Sequence, residues 1–145
     1  MNVDGRGAAA TDTAGLEVLT REECLRLLAE APIGRIVFTD QALPAVQPVN
    51  FTMLGTDIVV RTSPESKLAQ ATRDTVVAFE VDDYDVATRT GWSVMVVGIG
   101  HAVDDPEERA VLEALPLRSW APGPRSHFIR IMTDIVTGRR IPRRP

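Results

Sequence analysis

Between Arg61 and Lys67 the chain reads Arg-Thr-Ser-Pro-Glu-Ser-Lys. A planar guanidinium, the hydroxyls of Thr62, Ser63 and Ser66 and an ammonium point to one chemistry, the holding of an anion such as a phosphate. Ser63 reads as a helix cap, Pro64 as the first helical residue and Glu65 as first-turn acid, so the segment runs from a strand end into a helix start. Unpaired backbone amides at such a start favour the same anion. Lys67 is the only lysine of a chain whose other basic residues are all arginine. A plain surface accounts for the same residues equally well, with Ser63 a cap and Arg61 and Lys67 solvated charges.

Other residues bear on chemistry less directly. Trp92 and Ser93 head an apolar run, and Trp120 sits in a loop punctuated by Pro116, Pro122 and Pro124. Such tryptophans can wall an aromatic cofactor, and they can equally fill a core. His101 and His127 are far apart and outside any metal-binding spacing, and they read as solvent-facing or carbonyl-bonded rather than as acid or base. Cys24 is the single cysteine, which excludes an internal disulfide and a cysteine-built zinc site and reads as a small buried apolar residue. Asp82, Asp83 and Asp85 lack the glycine and distal glutamate of a calcium loop and read as an acidic hairpin tip. No metal is expected. The nucleophile elbow, the Walker loop and a strand-borne dinucleotide fingerprint are all absent, so no catalytic side chain is singled out. From residue 118 onward seven arginines face one acid, Asp134, which makes a second anion-binding wall or a solvated tail.

These residues must be positioned by a domain of ordinary size. The chain has 145 residues, 44% apolar and 25% charged, with a net charge of −4, which suits one globular domain and argues against coating nucleic acid. Mean hydropathy is −0.02, and no apolar run approaches a membrane span. A cytoplasmic location and a loose N-terminal tail over 1–18 are expected, with a domain at 19–141 and a short tail at 142–145. Thr20 opens a helix that Pro32 ends. Strands are expected at 33–39, 45–53 and 58–62 as an antiparallel meander, then at 75–81, 93–103 and 127–137. Pro48 cannot donate to a ladder, so its position is an edge, a bulge or a place where backbone is kept for a ligand. Asp105 caps a third helix. About six strands and three short helices without βαβ alternation indicate a mainly β fold, a closed or half-open antiparallel barrel with helices at its ends. Within it, Gly98 and Gly100 mark a bend or a close backbone approach.

The order of a capped helix, a meander holding Pro-Val-Asn-Phe, the Arg-Thr-Ser-Pro-Glu-Ser-Lys element, a Gly-Trp-Ser-Val strand and an Ile-Val-Thr-Gly-Arg-Arg-Ile ending resembles the pyridoxamine 5'-phosphate oxidase-like family of flavin-binding split β-barrels over about residues 19–141. The resemblance implies a homodimer holding FMN in clefts between subunits. It implies that Val49, Asn50 and Phe51 line the isoalloxazine ring, mostly through backbone, and that Arg61, Thr62, Ser66 and Lys67, with Ser63 at the turn, hold the phosphate. It further implies that Trp92 and Ser93 approach the ring from the opposing strand and that Trp120 closes the cleft from the partner subunit. The C-terminal arginine and histidine cluster of members acting on the B6 vitamer is not apparent, so the implied activity is hydride transfer through the flavin to or from another small molecule. The alternatives are a reductase using the deazaflavin coenzyme F-420 and a protein that binds flavin or haem without turnover.

Overall fold

The computed structural model describes residues 10–144. In chain order the elements are β1 (Glu17–Val18), α1 (Arg21–Glu30), β2 (Ile33–Asp40), β3 (Leu43–Leu54), β4 (Asp57–Thr62), α2 (Lys67–Ala71), β5 (Thr75–Asp85), β6 (Thr90–Ala102), α3 (Pro106–Glu113), β7 (His127–Ile131) and β8 (Ile135–Ile141). The sheet runs β1-β8-β6-β5-β2-β3-β4-β7, and a further β6–β7 pairing closes six of the strands into an antiparallel barrel. The mainly β barrel with three short helices expected from the sequence is therefore what the chain forms. No helix among the described residues is long and apolar enough to cross a membrane.

The strands form because β-branched and aromatic residues alternate, placing Ile36, Phe38, Phe79, Val94, Val96 and Ile129 inside. Phe51 and Phe79 meet edge to face in this core with ring centres 4.8 Å apart. Helix α1 adds Cys24 and Leu28, both fully buried and four residues apart on one face. The cap expected at Thr20 accepts from the Glu23 amide at 3.2 Å, and that at Asp105 accepts from the Glu108 amide at 3.0 Å. Segment 10–18, read from the sequence as tail, meets the sheet at its edge: Glu17 and Val18 pair with Arg140 and Arg139, and Asp12 pairs with Arg139 at 3.0 Å.

Three expectations are corrected. The strand expected over 127–137 is two strands, β7 and β8, lying in line along one edge of β6. Gly100 pairs with Ile131 and Val97 with Ile135, so three residues on one side oppose two on the other, a β-bulge at 132–134. The bulge frees β7 to turn onto β4 and close the barrel while β8 stays outside with β1. Gly98 is required there, because an added Cβ would fall on the Met132 carbonyl oxygen, and a Cβ at Gly100 would come within 2.7 Å of the Thr72 carbonyl oxygen. The close approach expected at these glycines is thus present. Second, residues 82–85 are ladder rather than turn, with Asp82 opposite Ser93 and Asp85 opposite Thr90; a projecting ribbon buries nothing and leaves no apolar signal. Third, α2 is capped by Ser66, not Ser63. The Ser66 hydroxyl accepts from the Ala69 amide at 3.0 Å and donates to the Ser63 carbonyl at 2.8 Å, and Pro64 and Glu65 form a turn ahead of the helix.

Candidate functional site

Strand β3 changes partners halfway. Residues 43–50 pair only with β2, and pairing with β4 begins at Phe51, opposite Val60. The edge of residues 43–50 away from β2 therefore has no ladder partner, and its backbone groups need other company. Pro48 lies in this half, opposite Arg35, where its missing N–H costs least.

The open edge borders a cleft of about 220 Å³ lined by residues 47–50 together with Arg61, Thr62, Trp120 and Arg125. A second groove of about 370 Å³ adjoins it, sharing Arg61, Ser119, Ala121 and Arg125 and adding Leu117, Arg118 and Gly123, and the two together form a depression around Arg61. Asn50 ties the walls together: its side-chain oxygen accepts from the Trp120 amide at 2.8 Å and its amide nitrogen donates to the Pro32 carbonyl at 3.4 Å. Arg61 is held by donating from Nε to the Arg125 carbonyl at 2.5 Å and by lying over the buried Phe128 ring, 5.0 Å from its centre. Its two terminal nitrogens remain for a ligand.

No carboxylate lines either part of this depression, and among the described residues neither Arg61 nor Arg125 has an ion-pair partner. The other half-buried arginines all do: Arg109 with Glu113, Arg130 with Asp57 and Glu108, Arg139 with Asp12, and Arg140 with Glu17. The Arg125 Nε is itself shielded from solvent and bonded to nothing. Partly desolvated cations without counter-ions are a standing demand for an anion.

The residues read from the sequence divide accordingly. Val49, Asn50, Arg61, Thr62 and Trp120 line the cleft. Phe51 turns its ring into the core. Thr62 is buried, with its hydroxyl 3.2 Å from that of Ser66. Ser63 is half-buried in the turn before α2. Lys67 does not line the cleft; its Nζ lies 3.9 Å from Asp40, with the side chain 85% exposed. Trp92 lines two other grooves of the same chain, with Ile33 and Leu27 in one and with Ser93 and Tyr84 in the other.

Neither histidine lines the cleft, although His127 lies opposite Thr62 in the β4–β7 pairing. His101 lies 3.1 Å from Asp74, and His127 is buried, where desolvation first and the nearby Arg73 charge next hold its pKa below the usual value. Cys24 is buried, and that burial raises its thiol pKa. Arg125 was read only as one of seven C-terminal arginines that could form a second anion-binding wall, with nothing to single it out from the others. Pro48 pointed to an edge or to backbone kept for a ligand, but the extent of the unpaired half of β3 becomes visible only once strand partners are assigned.

Comparison with known proteins places this geometry among relatives. Residues 20–140 match the sequence family described as pyridoxamine 5'-phosphate oxidase. An uncharacterised protein of Mycobacterium tuberculosis is 39% identical over 146 aligned positions, covering 97% of this chain and 95% of its own. The FAD-binding protein of Mycobacterium smegmatis superposes with a TM-score of 0.73 at 34% identity, covering 85% of this chain and 96% of that one. A protein of Mesorhizobium loti shares the fold, with a TM-score of 0.74 at 22% identity over 88% of this chain and 99% of its own.

Proposed function

We propose, for a chain that belongs to the pyridoxamine 5'-phosphate oxidase family, that the cleft between β3 and the 118–125 loop holds a flavin nucleotide and that the protein is a flavin-dependent oxidoreductase. The observation that carries this reading is the unpaired half of β3 facing a carboxylate-free Arg61. A flat heterocycle with an imide edge needs backbone donors and acceptors, which the open side of residues 47–50 offers apart from the N–H that Pro48 lacks, and its phosphate needs a cation, which Arg61 supplies. The FAD-binding relative from Mycobacterium smegmatis supports the same class of ligand.

When bound, a flavin supplies hydride transfer at its ring, so the protein is required to bind, orient and shield rather than to provide an acid or a nucleophile. Val49 and Asn50 would orient the ring through β3 backbone. Arg61 and Thr62 would hold the phosphate nearest the ring, the unit that FMN carries, with Ser63 and Ser66 at the turn beside them, while Lys67, which lies off the cleft toward Asp40, would reach it only by swinging its exposed side chain. Trp120, 69% exposed on its loop, is placed to cover an aromatic face.

The reading includes a homodimer. A cleft of about 220 Å³ falls below the roughly 300 Å³ at which ligand pockets begin, so one chain provides only part of an enclosure. The missing wall suits a second copy contributing its Trp92 and Ser93. The outer sheet face carries Val46, Val37, Ala78, Val97 and Ile135 in register across five adjacent strands, with Val46 and Ile135 63% and 58% exposed. A soluble monomer rarely leaves such a band uncovered.

The test is spectroscopic. Protein purified without added cofactor should release a flavin on denaturation, or quench flavin fluorescence on titration, and should sediment as a dimer. A nicotinamide donor should then reduce the bound flavin in stopped flow; binding without reduction would leave a store rather than an enzyme. A colourless protein that leaves flavin fluorescence unchanged would overturn the reading.

A further inference from the structure

We infer that Asn50 is a positioning residue: through the Trp120 amide it fastens the 118–125 loop as one wall of the cleft, and so sets how long a ligand is kept. The identity of that ligand rests on the flavin reading above, while the fastening is a property of the chain alone.

The loop has few ties of its own. Pro122 and Pro124 bring no N–H, and among the described residues 118–125 make no backbone-to-backbone hydrogen bond. Within the segment the Ser119 hydroxyl reaches the Ala121 carbonyl at 3.4 Å. What fastens the loop lies outside it. At one end Leu117 is buried in a cluster with Val59, Leu112 and Phe128, and at the other Arg61 Nε donates to the Arg125 carbonyl. Midway, the Trp120 amide donates to Asn50 Oδ1 at 2.8 Å, the one backbone N–H of 118–125 with a partner among the described residues.

Position and side-chain chemistry both single out Asn50. It is the last residue of the unpaired half of β3 and stands opposite Ile33, which also lines the cleft. An N–H has to meet an oxygen, so the Trp120 bond fixes which end of the carboxamide faces the loop. The nitrogen is left to donate to the Pro32 carbonyl at 3.4 Å. One side chain thus joins β3, the α1–β2 junction and the loop, a task that needs an acceptor and a donor on a short stem. Aspartate supplies only the acceptor, and leucine, of similar shape, supplies neither. The exposed Trp120 ring adds little burial to hold the loop, so losing the Asn50 bond frees the span between Leu117 and Arg125. A ligand would then have to order that span itself, and its complex would come apart faster.

Two measurements on the full chain test this, one without flavin and one with it. In limited trypsin digestion without ligand, Asn50→Leu should speed cutting after Arg118 at least about fivefold, while the control bond after Arg89, in the exposed β5–β6 turn, changes less than about twofold. Asn50→Asp, which keeps the acceptor, should protect the loop as the wild type does. With FMN as the probe in stopped flow, Asn50→Leu should raise the dissociation rate at least about tenfold and change the association rate less than about threefold. Unchanged cutting after Arg118, equal acceleration after Arg118 and Arg89, or a loop cut as fast in Asn50→Asp as in Asn50→Leu would overturn the fastening role. Faster cutting with an unchanged FMN dissociation rate would overturn the hold on the ligand. Wild-type protein that binds no FMN, with the digestion as expected, would overturn the flavin reading and leave the fastening of the loop standing.

Discussion

On the seam where β7 and β8 follow β6, charge and backbone are satisfied by the protein itself. Arg130 bonds Asp57 at 2.7 Å and Glu108 at 3.1 Å, Arg139 bonds Asp12 at 3.0 Å, and Arg21 donates to the Thr133 carbonyl at 2.8 Å. In the depression beside β3 the same residue type is left wanting: Arg61 and Arg125 meet no carboxylate, and half of β3 is unpaired along one edge. The strands β4 and β7 belong to both regions, with Arg61 opposite Phe128 and Val59 opposite Arg130. The arginines of the seam have closed their accounts internally and those of the cleft have not, although the buried Nε2 of His127, at the start of β7, is unbonded as well. Unmet polar capacity calls for an explanation, and an anion supplies one for the two arginines.

The seam should therefore be the region that mutation hurts most. Gly98→Ala places a methyl against the Met132 carbonyl at the bulge, where backbone rather than a flexible side chain must yield. A loss of more than about 3 kcal/mol is expected, beyond ordinary overpacking, seen as a lower urea midpoint or a failure to fold. A wild-type midpoint for this variant would remove the claim that the bulge is rigid.

A paired comparison of arginines comes next. Arg130→Ala leaves Asp57 without its half-buried partner and should cost about 1–3 kcal/mol. Arg125→Ala removes a side chain whose Nε has no bond to lose and should change stability by less than about 0.5 kcal/mol, while weakening nucleotide binding. Equal stability losses in the two variants would erase the distinction between the regions.

The seam and the cleft were unequally legible in the sequence, for physical reasons. The caps at Thr20 and Asp105 depend on neighbours within four residues and could be read directly. The cap of α2 could not, because Ser63 with Pro64 behind it satisfies the local rules, whereas Ser66 wins through a hydroxyl contact with Thr62 as well as the Ala69 amide. The bulge at 132–134 adds one residue without breaking apolar alternation, so 127–137 reads as one strand. Asn50, Arg61 and Trp120 drew attention as residue types, and the fold brings them together. Lys67 drew the same attention and points instead toward Asp40. The open edge of β3 and the unpartnered state of Arg125 are statements about what is missing nearby, which only the assembled barrel can make.

Between the two regions, on the outer face, Arg35 Nη1 lies 3.3 Å from both Glu80 and Asp82. Arg130 also holds two carboxylates, yet here burial first and the adjoining Asp82 second push the Glu80 pKa from 4.5 to about 7, against the pull of Arg35. The folded protein thus keeps a proton that the unfolded chain releases near pH 4.5. The stability this contributes is full below pH 4.5 and is lost as pH rises toward and through 7. With solvent screening the loss should be of the order of 1 kcal/mol. Glu80→Gln should flatten melting temperature against pH between 5 and 8, and an unchanged slope would assign the proton elsewhere.

The smallest effect should have the opposite sign and fall on the cleft side. The β2–β3 turn places Gln41 at φ +50° and Ala42 at φ +65°, as the twist of a two-residue hairpin demands. A side chain in that region costs roughly 1–2 kcal/mol that glycine does not pay. Glycine also gives the unfolded chain more freedom, about 0.4–1 kcal/mol, so Ala42→Gly should stabilise by about 0.5 kcal/mol. The turn carries the strand with the open edge, so this variant asks whether that edge is left unpaired by strain or kept for a ligand. Relief of strain that raises the melting temperature by a degree or two and leaves flavin affinity unchanged separates the two. A matching fall in affinity would mean that the turn sets the geometry of residues 47–50, and the contrast between seam and cleft would then begin at the hairpin rather than at the arginines.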